Sequence, residues 1–276
     1  MNIKLKINKS LEENASIYYE LAKKAKAKIE PINDVIAKYS REFEKAKKEH
    51  ELLAEKHESI KTKAESKRKK HWYEKFRWFF SSEGFLVIGG RDATTNEIII
   101  KKYLTEGDLV FHTDMSGSPF FVVKRKEEFS GKKESMEIGE MTINETASAT
   151  ASFSKAWGRG LASIDVFYVK PEQVSKKTES GEYMTKGSFM IRGKKNYVKP
   201  KMELAVAIIK DKEEGNELFI SGPVSSVSSQ SDKFIKIVSG STKSSDIAKQ
   251  IKKKLGGDLD EIIRSLPAGG CRIVGE

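Results

Sequence analysis

The sequence has 276 residues and a formal net charge of +11 at pH 7, with 51 Lys and Arg against 40 Asp and Glu. Its single cysteine, Cys271, excludes a disulfide framework and a zinc site built from cysteines. No apolar run approaches the ~20 residues that cross a bilayer, and the first residues lack the hydrophobic segment of a signal peptide. We therefore expect a cytoplasmic protein with a polyanionic partner, and nucleic acid is the main candidate.

The N-terminal quarter is more basic than the rest of the chain. Residues 1–70 hold 19 Lys and Arg against 12 Asp and Glu, a net charge of +7. Between residues 11 and 66 there is one proline and no glycine, and this composition favours helix. A stripe of mostly apolar residues alternates four- and three-residue steps from Leu11 to Ala64, which predicts the seam of a coiled coil. Ser10, with acidic residues two and three positions later, predicts the helix start.

Pro31 leaves two structures open for this arm. The helix either runs through the proline as one kinked rod of ~80 Å, or turns at residues 30–34 so that 11–29 packs on 35–66. The unbroken register of the stripe favours the single helix. Because one long helix cannot bury its own stripe, it then requires a partner chain or a second copy.

The end of the arm combines cations with aromatic rings. A basic block ending in Lys67, Arg68, Lys69 and Lys70 leads into an aromatic stretch at residues 71–79. Cations contact phosphates and rings stack on bases, so this junction is a candidate nucleic-acid interface. We expect most of the rings to be buried and the basic side chains to touch phosphate.

From Phe85 onward, short apolar runs alternate with Gly, Asp and Ser, which predicts a mixed α+β domain with a largely antiparallel sheet. We predict three parts: a basic coiled-coil arm at 1–70, an α+β domain at 71–240 and a helical tail packed on it at 241–276. The predicted strands are 85–88, 98–103, 109–112, 120–124, 164–169, 188–192, 197–199, 203–209, 217–220 and 234–238. The predicted helices are 142–160, capped by Thr142, then 241–255 and 258–265, with 221–232 a Ser-rich surface loop.

Two loops carry candidate chemistry near the predicted strands. Residues 89–97 combine two glycines, which let a backbone approach a ligand, with Arg91, a bidentate reader of phosphates or bases. The alternative is a hairpin loop held by an ion pair of Arg91. His112 and Asp114 follow another strand and suit a metal site or a general base, but a structural role in a turn is favoured. The residues predicted to shape the site are Gly89, Gly90, Asp92, Asn96, His112, Asp114 and Gly193.

A third loop, residues 192–197, gathers cations around a glycine. Gly193 lets the cluster converge, and Asn196 and Tyr197 add a hydrogen-bond donor and a stacking face. An ordinary charged hairpin is the alternative, and we favour phosphate contact. The residues predicted to contact nucleic acid in the domain are Arg91, Lys176, Arg192, Lys194, Lys195, Asn196 and Tyr197.

Several blocks of the sequence, in order, resemble the NFACT-R (NFACT RNA-binding) domain. They are WYEKFRWF at 72–79 running into FLVIGGRDA at 85–93, HTD at 112–114 with Gly117 and Pro119, and QVSK at 173–176 followed by GSFMIRGKKNY at 187–197. The likeness covers roughly 72–210. The arm is similar to the coiled coil that precedes this domain in the C-terminal half of archaeal and eukaryotic NEMF/RqcH-family proteins, and LPAGGC at 266–271 resembles the archaeal members.

This resemblance implies an RNA-binding module of ribosome-associated quality control that binds tRNA or peptidyl-tRNA on the large ribosomal subunit. It implies no catalytic residue, cofactor or metal, and we expect no membrane partner. Because the sequence starts just before the coiled coil, we expect a separate NFACT-N-containing chain, or a second copy, to dock on the stripe. Tailing of stalled chains does not carry over to this part alone.

Three other functions remain open. A metal-dependent hydrolase or nuclease would use Asp92, His112, Asp114 and Asp165. An interaction scaffold would work through the arm without nucleic acid, and a DNA-binding protein would use the same basic loops on a duplex.

Overall fold

The computed structural model describes residues 4–64, 70–125, 137–176, 185–210 and 215–274. The chain divides into two compact units, Met1–Lys69 and Lys70–Glu276. Over the described ranges, every helix is too short or too polar to span a membrane.

The first unit is built on one helix, α1 (Leu11–Ala64), which continues through Pro31. The alternative of a helical hairpin with a turn at 30–34 is therefore wrong. The helix starts where the sequence predicts: the Ser10 hydroxyl accepts from the Glu13 amide at 3.1 Å, and the Glu13 carboxylate accepts from the Ser10 amide at 2.8 Å. This reciprocal capping box satisfies two backbone donors that the first helical turn leaves without partners.

The apolar stripe of α1 faces solvent in this unit. Its large side chains before residue 48 are 41–78% exposed, namely Leu11, Tyr18, Ile29, Ile32, Ile36, Tyr39 and Phe43. The long helix is thus confirmed, while the coiled coil, which needs a second helix against the stripe, stays a prediction.

The second unit is a mixed α+β structure. Its described strands are β1 (Arg77–Phe80), β2 (Leu86–Gly89), β3 (Leu109–Thr113), β4 (Phe121–Val123), β5 (Val166–Val169), β6 (Val174–Ser175), β7 (Met190–Ile191), β8 (Asn196–Val198), β9 (Leu204–Lys210), β10 (Glu217–Pro223), β11 (Phe234–Thr242) and β12 (Cys271–Val274). Its described α-helices are α2 (Ala93–Ile98), α3 (Glu140–Ser152), α4 (Lys155–Gly158), α5 (Val224–Ser228), α6 (Ser244–Leu255) and α7 (Leu259–Ser265).

These strands form a six-stranded sheet of order β1-β2-β4-β3-β5-β8, a four-stranded sheet of order β10-β9-β11-β12, and the small ribbon β6-β7. All neighbouring pairs among the described strands are antiparallel, as the sequence predicts. The C-terminal segment joins this unit through β12, which pairs with β11 and buries Cys271.

Both faces of the six-stranded sheet are covered, which explains why its strands read as continuous apolar runs. Successive side chains on a strand point to opposite faces. Accordingly Val87 packs with α3 and the second sheet, whereas its neighbours Leu86 and Ile88 pack in another cluster with the aromatic residues Tyr73 and Phe76. The prediction that most of the rings at 71–79 are buried agrees with this packing.

Three local predictions are wrong. Residues 98–103 are not a strand: α2 continues into a π-helical turn at Ile99–Tyr103, because the Asp92 cap starts a helix that overrides the β propensity of the isoleucines. The helix predicted from Thr142 begins at Glu140, with Gly139 at its cap, and breaks after Ser152. The Ser-rich stretch 221–232 is not a surface loop, since β10 extends to Pro223 and α5 buries Val227.

Candidate nucleic-acid interface

A row of rings crosses the sheet from β3 to its edge strand β8. His112 lies opposite Phe167, and Phe167 lies opposite Tyr197, so the three side chains share one face. His112 also stacks on Phe120, with ring centroids 4.1 Å apart. The row ends at Tyr197, which is 56% exposed and meets Phe167 edge to face at 5.9 Å. The register therefore presents one open aromatic face at the sheet edge.

Asp114 fixes the exposed end of this row. It accepts from the Lys195 ammonium at 2.7 Å and from the Tyr197 hydroxyl at 3.0 Å. The hydrogen bond from Lys195 lowers the pKa of Asp114, and the same bond raises the pKa of Lys195. The Lys195 ammonium also lies 4.2 Å from the Phe167 ring centroid. Asp114 thus holds two of the predicted contact residues in place.

His112 has a structural environment. Its Nε2 is 3.1 Å from the Ser118 carbonyl oxygen, within the turn that follows β3. Burial is the main cause that lowers the pKa of His112, so the ring is neutral at pH 7. His112 and Asp114 point to different partners, which fits the role in a turn that the sequence favours.

The basic turn, residues 192–195, is tied to Gln173 by three hydrogen bonds. The Gln173 Nε2 donates to the carbonyl oxygens of Arg192 at 2.8 Å and Lys194 at 2.9 Å. The Arg192 amide donates back to the Gln173 carbonyl at 2.9 Å. Gly193 between them has φ +78°, a conformation that side chains other than glycine rarely adopt. The side chains of Arg192 and Lys194 are exposed on this fixed backbone.

Lys176 is partly neutralised. It forms an ion pair with Glu97, which also binds Lys101 at 2.7 Å. Hydrogen bonds from Lys101 and then Lys176 lower the pKa of Glu97 to about 2, so this carboxylate is charged at any physiological pH. Lys176 therefore offers less net charge to a phosphate than its formal charge of +1 indicates.

The loop at residues 89–97 is the entry to α2 rather than a hairpin. The Asp92 carboxylate caps the helix by accepting from the Thr95 amide at 2.8 Å. The guanidinium of Arg91 donates to the carbonyl oxygens of Phe76 and Arg264, both at 2.8 Å. The alternative of a hairpin loop held by an ion pair of Arg91 is wrong, because Arg91 is held by backbone carbonyls.

The two glycines of this loop are required by packing. A Cβ at Gly89 would lie 2.3 Å from the Phe121 ring, and one at Gly90 would lie 1.8 Å from the Asn96 Oδ1. That Oδ1 accepts from the Phe120 amide at 3.1 Å. Gly89 therefore lets β2 pack closely against Phe121 of β4, and Gly90 lets the loop pack closely against Asn96 of α2. The sequence had suggested instead that the two glycines let a ligand approach the backbone.

A cleft of about 720 Å³ opens beside this loop. Of the predicted site residues, it brings together Gly90, Arg91, Asp92, Asn96 and His112. Three more cations line it: Arg77 from the aromatic stretch at 71–79, and Lys155 and Lys186, which sequence reasoning missed.

The other predicted contact residues lie outside the cleft. Asn196 and Tyr197 are on β8 and Lys194 is in the basic turn, whereas Lys70 is exposed at the start of the unit. Lys67, Arg68 and Lys69 fall outside the described residues. The described part of the chain has no group of three or more His, Cys, Asp or Glu side chains placed to hold a metal ion.

Comparison with known proteins assigns this region. Residues 75–193 match the family model described as the NFACT protein RNA binding domain. The archaeal Rqc2 homolog aRqcH of Methanocaldococcus jannaschii is 41% identical over 212 residues, which cover 75% of this chain and 30% of that protein. The ribosome quality control complex subunit NEMF of Homo sapiens is 44% identical over 133 residues, 48% of this chain and 12% of that protein.

A solved structure, the C-terminal part of the fibronectin/fibrinogen-binding protein from Streptococcus suis, aligns with a TM-score of 0.36 and 19% identity. The alignment covers 48% of this chain and 47% of that one. The matched part of this chain spans less than a third of either curated relative. The resemblance read from the sequence is confirmed: residues 75–193 of this chain are similar to the NFACT protein RNA binding domain.

Proposed function

We propose that this chain is an RNA-binding module of ribosome-associated quality control that binds tRNA on the large ribosomal subunit. The observation that carries the proposal is the basic turn, whose exposed cations stand on a backbone fixed by Gln173. It lies at the end of a stretch that matches an RNA binding domain, and the two relatives are named as an archaeal Rqc2 homolog and a ribosome quality control complex subunit.

The chemistry of the turn suits an RNA backbone next to an unstacked base. Arg192 and Lys194 provide exposed cations that can contact phosphates and release counterions. Tyr197 offers an exposed ring on which a base can stack, and Asn196 beside it is an exposed donor. Lys195 is tied to Asp114, so it contributes more to positioning Tyr197 than to binding a phosphate directly.

Co-sedimentation of the full chain with separated ribosomal subunits tests the proposal, with and without tRNA and at several salt concentrations. We expect the chain to migrate with the large subunit, and tRNA to increase the bound fraction. A chain that stays at the top of the gradient at low salt as well would overturn the ribosomal assignment. Duplex DNA that competes with tRNA equally well at the same salt would instead favour a DNA-binding function.

The double variant Arg192→Ala with Lys194→Ala tests the basic turn itself. For single-stranded RNA, each lost phosphate contact lowers the salt slope by about 0.7, so two contacts lower it by about 1.4. The matched control changes Lys252 and Lys253 to Ala, two exposed lysines on α6 that line no part of the cleft. An unchanged slope in the turn variant would remove these residues from the interface.

We also propose that a second helix covers the stripe of α1. The exposed isoleucine and aromatic side chains repeat with the spacing of a coiled-coil seam. The partner is a separate NFACT-N-containing chain or a second copy of this one.

A further inference from the structure

The cleft has an excess of positive charge. Four cations line it, Arg77, Arg91, Lys155 and Lys186, against the single carboxylate of Asp92. That carboxylate is already engaged as the cap of α2. Within the described residues, none of the four cations forms an ion pair with a carboxylate. The cleft is therefore a concave surface with four cations against one carboxylate.

Arg77 and Arg91 make this arrangement unfavourable for the folded protein when no anion is bound. Burial, and secondarily the charge of Arg91, lowers the pKa of Arg77 to about 9. Burial and then Arg264 lower the pKa of Arg91 as well. Arg77 covers the Phe153 ring at 4.1 Å and has one long hydrogen bond, 3.4 Å, to the Leu266 carbonyl. Buried charges are normally paired, and planar guanidinium groups bind phosphates in bidentate geometry.

Other groups in the cleft suit a nucleobase. The Oδ1 of Asn96 is used by the Phe120 amide, while its Nδ2 has no partner among the described residues and remains a donor. The rings of His112 and Phe189 are half-buried at the wall. A cleft of about 720 Å³ lies within the ~300–1,000 Å³ range of small-ligand sites.

We propose that this cleft captures one unpaired nucleotide of RNA, with its phosphate on Arg77 and Arg91 and its base against the His112 and Phe189 wall. This deepens the proposed RNA-binding function and rests on it. A base inside a duplex is stacked and cannot enter a cleft, whereas a base in a loop or at a strand end can. Lys155 and Lys186, exposed at the cleft, attract the strand.

A steric plug tests occupancy of the cleft. Ser116 is exposed and lines the cleft, so Ser116→Trp fills space there without removing charge. The matched control is Ser245→Trp at an exposed position of α6. Binding of the full chain to a short single-stranded oligoribonucleotide and to a fully paired RNA duplex is measured by fluorescence anisotropy, and circular dichroism verifies that each variant is folded.

We expect Ser116→Trp to weaken binding of the single strand at least tenfold and that of the duplex less than twofold, with Ser245→Trp unchanged. Changing Lys155 and Lys186 together to Ala should also weaken single-strand binding and lower its salt slope, since both are cleft cations. If the wild-type chain binds both RNAs and neither set of variants differs from it, the cleft proposal fails while the RNA-binding function stands. If the wild-type chain binds neither RNA, the proposed function fails first.

Competition with uridine 5′-monophosphate distinguishes the two ligands that share this chemistry, a nucleotide within RNA and a free nucleotide. We expect it to displace the single-stranded oligonucleotide from the wild-type chain at millimolar concentration, because a single nucleotide makes only the contacts of the cleft. Micromolar binding of the mononucleotide that the oligonucleotide fails to compete would assign the cleft to a free nucleotide and overturn its assignment to RNA.

Discussion

Replacing Gln173 tests whether RNA binding depends on the fixed backbone of the basic turn as well as on the charge of its side chains. Gln173→Ala removes two hydrogen bonds from Nε2 to the carbonyls of Arg192 and Lys194 and one that Oε1 accepts from the Lys170 amide outside the turn, but it leaves every cation in place. A hydrogen bond contributes about 0.5–1.5 kcal/mol, and the lower end applies at an exposed site, which gives about 1 kcal/mol for the pair. Because 1.4 kcal/mol is tenfold in affinity, RNA binding should weaken about fivefold.

The assay is fluorescence anisotropy with labelled tRNA over a series of potassium chloride concentrations. The salt slope should match that of the wild-type chain, since the number of phosphates contacted is unchanged. Gln230→Ala is the matched control, because the Nε2 of Gln230 also donates to two backbone carbonyls, those of Phe80 and Ser226, in another part of the unit.

Two results would refute this reasoning. Wild-type affinity in Gln173→Ala would mean that the turn needs no fixed backbone to bind RNA. A salt slope reduced as far as in the Arg192 and Lys194 double variant would mean that the contacts are lost and not merely less well ordered.

Three further predictions concern stability, pH and the arm. Asp108→Asn should destabilise the folded chain by about 3–5 kcal/mol in urea unfolding, because it leaves the Lys124 ammonium, now 2.6 Å from that carboxylate and 1% exposed, buried without its counter-ion. Asp246→Asn, which breaks the surface pair Asp246–Lys249, is the control, because exposed pairs contribute less than about 1 kcal/mol. Equal losses in the free energy of unfolding for the two variants would contradict the prediction. Burial lowers the pKa of His112 in the folded chain, so this residue's contribution to the free energy of unfolding is present above the unfolded pKa of ~6.5 and is lost as pH falls below that value. His112→Gln should make the free energy of unfolding less dependent on pH in this range, and a pH dependence equal to that of the wild-type chain would contradict the prediction. If two copies pair through the stripe, Ile32→Glu with Ile36→Glu should abolish concentration-dependent association in analytical ultracentrifugation. The control Lys38→Glu, which lies off the stripe, should retain that association. A wild-type chain that is monomeric at every concentration would exclude pairing of two copies.

The fold was predictable wherever one local signal acted alone. The period of α1, its cap at Ser10 and the buried strands β2, β3 and β9 follow directly from apolar spacing and capping chemistry. Residues 98–103 were misread because isoleucines and tyrosine favour strands. The cap at Asp92, only six residues earlier, decides the outcome, and local propensity yields to it.

The site was predictable in part. The resemblance and the clustered cations pointed to residues 192–197, of which 192–195 form the basic turn held by Gln173 and the last two begin β8. The tie that fixes the turn joins Gln173 to Lys194 across 21 residues, and no periodicity in the sequence predicts such a contact. Lys155 and Lys186 meet at the cleft from segments that carry no shared motif, so only the tertiary fold shows them together.

Arg77 shows most clearly how tertiary packing changes the meaning of a residue. In the sequence it is one cation among the aromatic residues of 72–79, a pattern that fits either a buried core or a base-stacking surface. In the fold its neighbours Phe76 and Trp78 enter the core, while Arg77 lies over Phe153 beside Arg91. The aromatic residues therefore bury their surface as expected, and the same packing brings the arginine to a cleft where a phosphate would relieve the repulsion between the two guanidinium groups.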